Sequence, residues 1–201
     1  VSFYVQGLEG RVADTVLSTV TVSAPGFSDG SATMTAVQGA IDLQGLPGTT
    51  TTLSPSSIVY ARLGLPQAGN GALQALQNLR AGSTLAPLTV SFTTPSNGIG
   101  ELRKVATAAG TTQTAPIPLA VNNTPTDSAS GAIVFHALLS GTTTVSASTP
   151  DFIATTAATR SITATQPTIS VGAVTVGSGL QVNTSFTLGA PNHGGVDVTL
   201  T

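Results

Sequence analysis

Two histidines, eight acidic residues and abundant serine and threonine are the reactive groups of this 201-residue chain, which contains no cysteine and no tryptophan. His136 follows Phe135 in IVFHALL, and His193 lies in the stretch Pro191-Asn192-His193-Gly194-Gly195. A triad or a general base needs histidine beside a nucleophile and an orienting acid. His136 instead occupies an outward strand position whose counterpart elsewhere in the chain is Tyr4. His193 sits where Asn and Gly favour a turn. His136 reads as structural and His193 as a solvated loop residue. The acids Glu9, Asp14, Asp29, Asp42, Glu101, Asp127, Asp151 and Asp197 are scattered singly. No pair has a spacing suited to acid and base work, and no run suits an oxygen cage for calcium. Asp42 alone stands near a junction between repeats, where calcium would need several carboxylates. Gly69-Asn70-Gly71 does not follow the strand-to-helix pattern of a phosphate loop. Arg103-Lys104 reads as a solvated strand face. The expectation is no catalytic, cofactor-binding or metal-binding residue, no cofactor, and no enzyme activity.

The elements that would position these groups are strands. Val1, Phe3 and Val5 alternate with Ser2, Tyr4 and Gln6, and Val20 and Val22 with Thr19, Thr21 and Ser23. The same alternation sets Val59, Ala61 and Leu63 against Tyr60 and Arg62, and Leu88, Val90 and Phe92 against Thr89, Ser91 and Thr93. One face is apolar and the other polar, the period-two signature of a half-buried strand. Pro25-Gly26, Pro47-Gly48, Pro95-Ser96-Asn97-Gly98 and Ser140-Gly141 punctuate the runs as turns. Short strands at this spacing predict a sandwich of two sheets. Its expected core includes Val59, Ala61, Leu63, Leu88, Val90, Phe92, Ile133, Phe135 and Val145. One stretch departs from the pattern: Leu73, Leu76 and Leu79 recur every three residues in ALQALQNLR, which predicts one or two helical turns.

Composition narrows the partners. Charged residues make up 7% of the chain and the net charge is −2, against roughly a quarter charged in ordinary domains. That leaves no basic footprint for nucleic acid and none for an anionic membrane. The hydrophobic fraction is 40%, enough to bury a core. No run approaches a membrane span and no signal peptide opens the sequence. Without cysteine, neither disulfides nor thiolate metal sites hold the fold.

The chain also repeats itself. Phe3 answers Phe135 at an offset of 132, and Ala24-Pro25-Gly26-Phe27 answers Thr149-Pro150-Asp151-Phe152 at 125. Gln38-Gly39-Ala40-Ile41 answers Gln166-Pro167-Thr168-Ile169 at 128, and Leu63-Gly64-Leu65-Pro66 answers Leu188-Gly189-Ala190-Pro191 at 125. Parity survives the shift, with Ala61 mapping to Phe186 and Leu63 to Leu188 on the inward face. A long, steady period predicts a tandem array.

Phe135 to Ala147, then Pro150-Asp151-Phe152 and Arg160 to Thr165, resemble the closing half of bacterial immunoglobulin-like repeat domains. The first copy, Phe3 to Val37, carries the same order with about seven extra residues around Arg11 to Leu17. The resemblance implies an all-β fold of immunoglobulin-like sandwiches in tandem. Residues 1–37 would be the last strands of one repeat, 38–165 a complete repeat, and 166–201 the first strands of the next.

The function expected from that architecture is structural: an extracellular filament, sheath or surface layer, or an adhesin stalk. Its partners would be neighbouring copies of the same chain. Few charges leave little repulsion between copies, and head-to-tail contacts that do not close propagate into fibres. The location expected is extracellular or at the cell surface. The alternative is an accessory, carbohydrate-binding module of a large secreted protein. Sugar stacking favours exposed aromatic platforms, and only Tyr4 and Tyr60 could supply one.

Overall fold

Alternating apolar and hydroxyl residues become strands wherever a neighbour takes up their backbone hydrogen bonds. The computed structural model describes residues 4–8, 15–104, 107–190 and 197–199. A first hairpin pairs β1 (Val16–Val22) with β2 (Gly30–Ala36). The chain then weaves between two larger sheets. It places β3 (Ala40–Gln44) in a seven-stranded sheet, β4 (Thr49–Thr51) in a five-stranded one, and β5 (Ser57–Pro66) and β6 (Leu73–Leu76) back in the first. β7 (Leu88–Thr93) returns to the five-stranded sheet, β8 (Gly100–Lys104) and β9 (Thr107–Gly110) to the other, and β10 (Thr112–Ile117) to the five-stranded sheet again. β11 (Ile133–Ala137), β12 (Gly141–Ser148), β13 (Ile153–Ala154) and β14 (Thr159–Thr165) continue the alternation. β15 (Ile169–Val171) and β16 (Phe186–Leu188) form a second two-stranded sheet.

The strand orders are β10-β7-β12-β14-β4 and β13-β3-β5-β11-β8-β9, with β6 beside β5. Among the described residues two pairings are parallel, β13 with β3 and β14 with β4. Residues 40–51 and 153–165 therefore run side by side and cross together from one sheet to the other. Gly45 makes the first crossing, with φ +83°, and a Cβ there would collide with the Ile58 carbonyl. Only glycine meets both demands. This paired crossing ties the two sheets together at one edge.

Between the sheets lies one hydrophobic cluster with Phe92, Phe135, Ile41, Leu43, Leu102 and Ile162 among its largest fully buried side chains. All nine positions read as inward from the sequence, from Val59 to Val145, are buried there. Alternation alone placed them correctly, because a strand facing a core must bury every second residue.

Four expectations are corrected. The tandem array of immunoglobulin-like sandwiches gives way to one interconnected, mixed-topology β-domain. Strands from the whole stretch Ala40–Thr165 interlock around the shared cluster, while the described terminal segments add two-stranded sheets rather than further sandwiches. With the array falls the filament, sheath, surface layer or stalk built from it, and so do neighbouring copies as partners. An interlocked domain is not a modular building block. Next, the leucines of ALQALQNLR begin on a strand, not on helical turns. Gly64 allows that strand to approach β5 closely, since a Cβ there would meet the Ala75 carbonyl, and the pairing Gly64↔Leu76 supplies backbone partners. Last, Phe186, mapped onto the inward Ala61, is 42% exposed, with β15 pairing only β16 among the described residues.

The sequence period nevertheless leaves a trace in the pairing. In β15–β16 the partners Ile169↔Leu188 and Val171↔Phe186 reproduce Ile41↔Leu63 and Leu43↔Ala61 of β3–β5. In β1–β2 the partners Val16↔Ala36 and Val20↔Ala32 reproduce Gly141↔Ala164 and Val145↔Arg160 of β12–β14. The turns agree too: Gly26 has φ +83° and its counterpart Asp151 has φ +66°. What repeats is a pair of strands in register, not a closed sandwich.

Candidate functional site

Polar side chains converge in two places on the seven-stranded sheet. At the first, Asp42 on β3 lies directly opposite Arg62 on β5. The guanidinium donates from Nε to Oδ1 at 3.2 Å and from Nη2 to Oδ2 at 2.8 Å, a bidentate fork. Gln44 Nε2 adds a third bond to Oδ2 at 2.9 Å. Asp42 is 2% exposed and Arg62 30%, so the carboxylate is the buried partner. The hydrogen bond to Asp42 raises the Arg62 pKa, and burial opposes it only in part. Arg160 reaches over from β14 to donate to the Leu43 carbonyl at 2.8 Å. Asp42, singled out as a lone carboxylate near a junction, is thus a structural anchor.

The second place is the outward face of β8 and β11. His136 stands opposite Glu101 in register, and its Nδ1 lies 3.1 Å from Ser56 Oγ, just ahead of β5. Serine, histidine and acid are the ingredients of a nucleophile with its base and orienting group. Their arrangement differs from a working relay. Glu101 Oε1 accepts from Arg103 Nε at 2.6 Å, which engages the acid with a cation. Burial lowers the His136 pKa below its ordinary value, and Arg103 lowers it further against the opposing pull of Glu101. Both effects favour the neutral imidazole, which can donate one hydrogen bond and accept another.

Two further charged groups bond within the fold. Lys104 Nζ donates to the Thr114 carbonyl at 3.0 Å. Asp127 accepts from the Ser130 amide at 2.8 Å and the Ser130 hydroxyl at 2.6 Å. Those bonds, the hydroxyl's first, lower its pKa. Arg103-Lys104, read as a solvated face, carries this internal bonding on β8. Gly69-Asn70-Gly71 spans a 3-10 turn with Asn70 at φ +55°. Tyr4 is almost fully exposed and Tyr60 half-buried. His193, Glu9 and Asp14 lie outside the described residues.

Among the described residues no group of three His, Cys, Asp or Glu side chains is close enough to hold a metal ion. Sequence reading missed Ser56, because its link to His136 joins residues 80 positions apart. It also missed the Asp42–Arg62 pair, which only the β3–β5 register creates. Compared with protein-family models and with curated proteins, the sequence matches none.

Proposed function

We propose that this chain is a non-catalytic β-domain working outside the cell or at the cell surface, where its role is carried by the surfaces it presents. The observation that supports this most is the use made of its charged groups. Asp42 and Arg62 pin β3 to β5, and Arg160 and Lys104 bond to carbonyls. Asp127 fixes a turn, and Glu101 is taken up by Arg103. A reaction centre needs acids and bases poised towards a substrate; the groups named here are committed to neighbouring residues instead. The exterior location rests on composition: a cysteine-free, hydroxyl-rich chain needs no reducing compartment and offers no anchor for nucleic acid.

Protease treatment of intact cells that make the native protein tests the location. Loss of the chain while an internal marker survives supports it, and full protection overturns it. For the non-catalytic part, the purified chain is offered a panel of chromogenic esters and glycosides. Turnover that disappears in Ser56→Ala or His136→Ala would overturn it.

A further inference from the structure

The chain contains two Asn-Gly pairs, Asn70-Gly71 and Asn97-Gly98. Asparagine is a heat-labile residue, and glycine after it leaves the next amide nitrogen unhindered. That nitrogen, once deprotonated, attacks the side-chain Cγ. An N–Cγ bond forms, the Cγ–Nδ2 bond breaks, and ammonia departs from a five-membered succinimide. Water then opens the ring, at the side-chain carbonyl to give aspartate or at the main-chain carbonyl to give isoaspartate.

The fold treats the two pairs differently, although both asparagines are exposed. The Asn97 carboxamide is held at both ends. Its Oδ1 accepts from the Ile99 amide at 3.1 Å, and its Nδ2 donates to Thr143 Oγ1 at 3.2 Å. Thr143 is buried on β12, so turning that carboxamide towards Gly98 breaks both bonds. The Asn70 carboxamide makes no hydrogen bond among the described residues. Its backbone, at φ +55°, ends the three-residue 3-10 turn Ala68–Asn70. Such a turn has poor hydrogen-bond geometry and, at an exposed position, opens readily.

We propose that Asn70 is a site of spontaneous deamidation, converting in the folded protein while the fold protects Asn97. The change acts on a connection to the core. The Gly71 carbonyl accepts from the Ala157 amide at 3.1 Å and from the Thr156 hydroxyl at 2.8 Å. These bonds join the Ala68–Asn70 turn to the 3-10 turn Thr156–Ala158, whose Ala158 is buried. Isoaspartate places one more backbone atom and a negative charge directly ahead of Gly71. It therefore displaces the carbonyl from its two donors and loosens Thr156–Ala158. The inference goes beyond the functional reading above and does not depend on where the chain works.

The test follows the whole purified chain at pH 7.5 and pH 9 by peptide mapping with mass spectrometry. In the folded chain the Asn70 peptide should gain one mass unit about ten-fold faster than the Asn97 peptide. Conversion should be faster at pH 9, where more of the amide is deprotonated. In urea the two rates should converge, because the dipeptides are alike and only the fold separates them. Gly71→Ala should slow conversion at Asn70 by about ten-fold, since the added methyl hinders the attacking nitrogen. That variant keeps its fold: Gly71 has φ −68°, and a Cβ there lies 3.9 Å from the Gln67 side chain. In the isoaspartate fraction, separated by ion exchange, the Ala157 amide should exchange with solvent faster than in the parent. Equal rates at Asn70 and Asn97 in the folded chain, or a difference that survives urea, would overturn the proposal. So would an unslowed Gly71→Ala or an unchanged Ala157 amide.

Discussion

Asp42 and Arg62 face one another across β3 and β5, joined by two hydrogen bonds of 3.2 and 2.8 Å, with the carboxylate buried and the guanidinium reaching solvent. The asymmetry decides what each mutation does. Arg62→Leu strands a buried carboxylate with only Gln44 as a side-chain donor and should cost about 3–5 kcal/mol, the range for an orphaned buried charge. Asp42→Asn leaves a cation that water can still reach and should cost less, about 1–2 kcal/mol. Urea denaturation of the two variants checks the order; equal losses would mean that the carboxylate is better hydrated than its position implies.

Phe135 and Gly100 form a second coupled pair. A Cβ at Gly100 would run into the Phe135 ring. Gly100→Ala should therefore destabilise by about 1–3 kcal/mol through overpacking. Phe135→Ala should cost about 3–5 kcal/mol through the cavity it leaves. The double variant should cost less than the sum, because each change relieves part of the other. Additive losses in denaturant melts would contradict the contact.

His136 makes stability depend on pH. Its folded pKa lies below the ordinary 6.5, burial being the main cause, so near that pH the unfolded chain binds more protons than the folded one. Stability should then fall as pH drops through 6.5 and level off once the depressed folded value is passed. Urea midpoints at pH 7.5 and 5 should differ less in His136→Gln than in the parent. An unchanged slope would remove His136 from the account.

Asp151 adopts φ +66° where its counterpart Gly26 has +83°. A non-glycine residue there carries a steric cost that glycine avoids. Asp151→Gly should raise stability by up to about 1 kcal/mol, measured by thermal melting. Destabilisation instead would mean that the carboxylate makes a compensating contact.

The parts legible in the sequence were those that obey period two. Val59 to Leu63 and Leu88 to Phe92 alternate strictly, and both were placed in the core by that alone. The parts that misled were those where pairing, not periodicity, decides. Leu73, Leu76 and Leu79 have a helical spacing, yet the close approach to Gly64 draws the segment onto β5. The repeat was legible as register, in Ile169↔Leu188 against Ile41↔Leu63. Whether each copy closes a sandwich was not, because closure depends on strands far away in sequence. The polar cluster was equally hidden: Ser56 and His136 come together only after β5 and β11 pair. Parallel crossings such as β4 with β14 join residues more than a hundred positions apart and carry no local signal.

The central claim is that residues 40–165 form one interlocked core, to which the described terminal segments add two-stranded sheets. Native-state hydrogen exchange tests it most directly. The account predicts that amides of β5 and β11 in one sheet, and of β7 and β12 in the other, exchange through a single common opening. Amides of β1–β2 and β15–β16 should exchange far faster. Two or more independent sets of strongly protected amides, one of them containing a terminal hairpin, would contradict it.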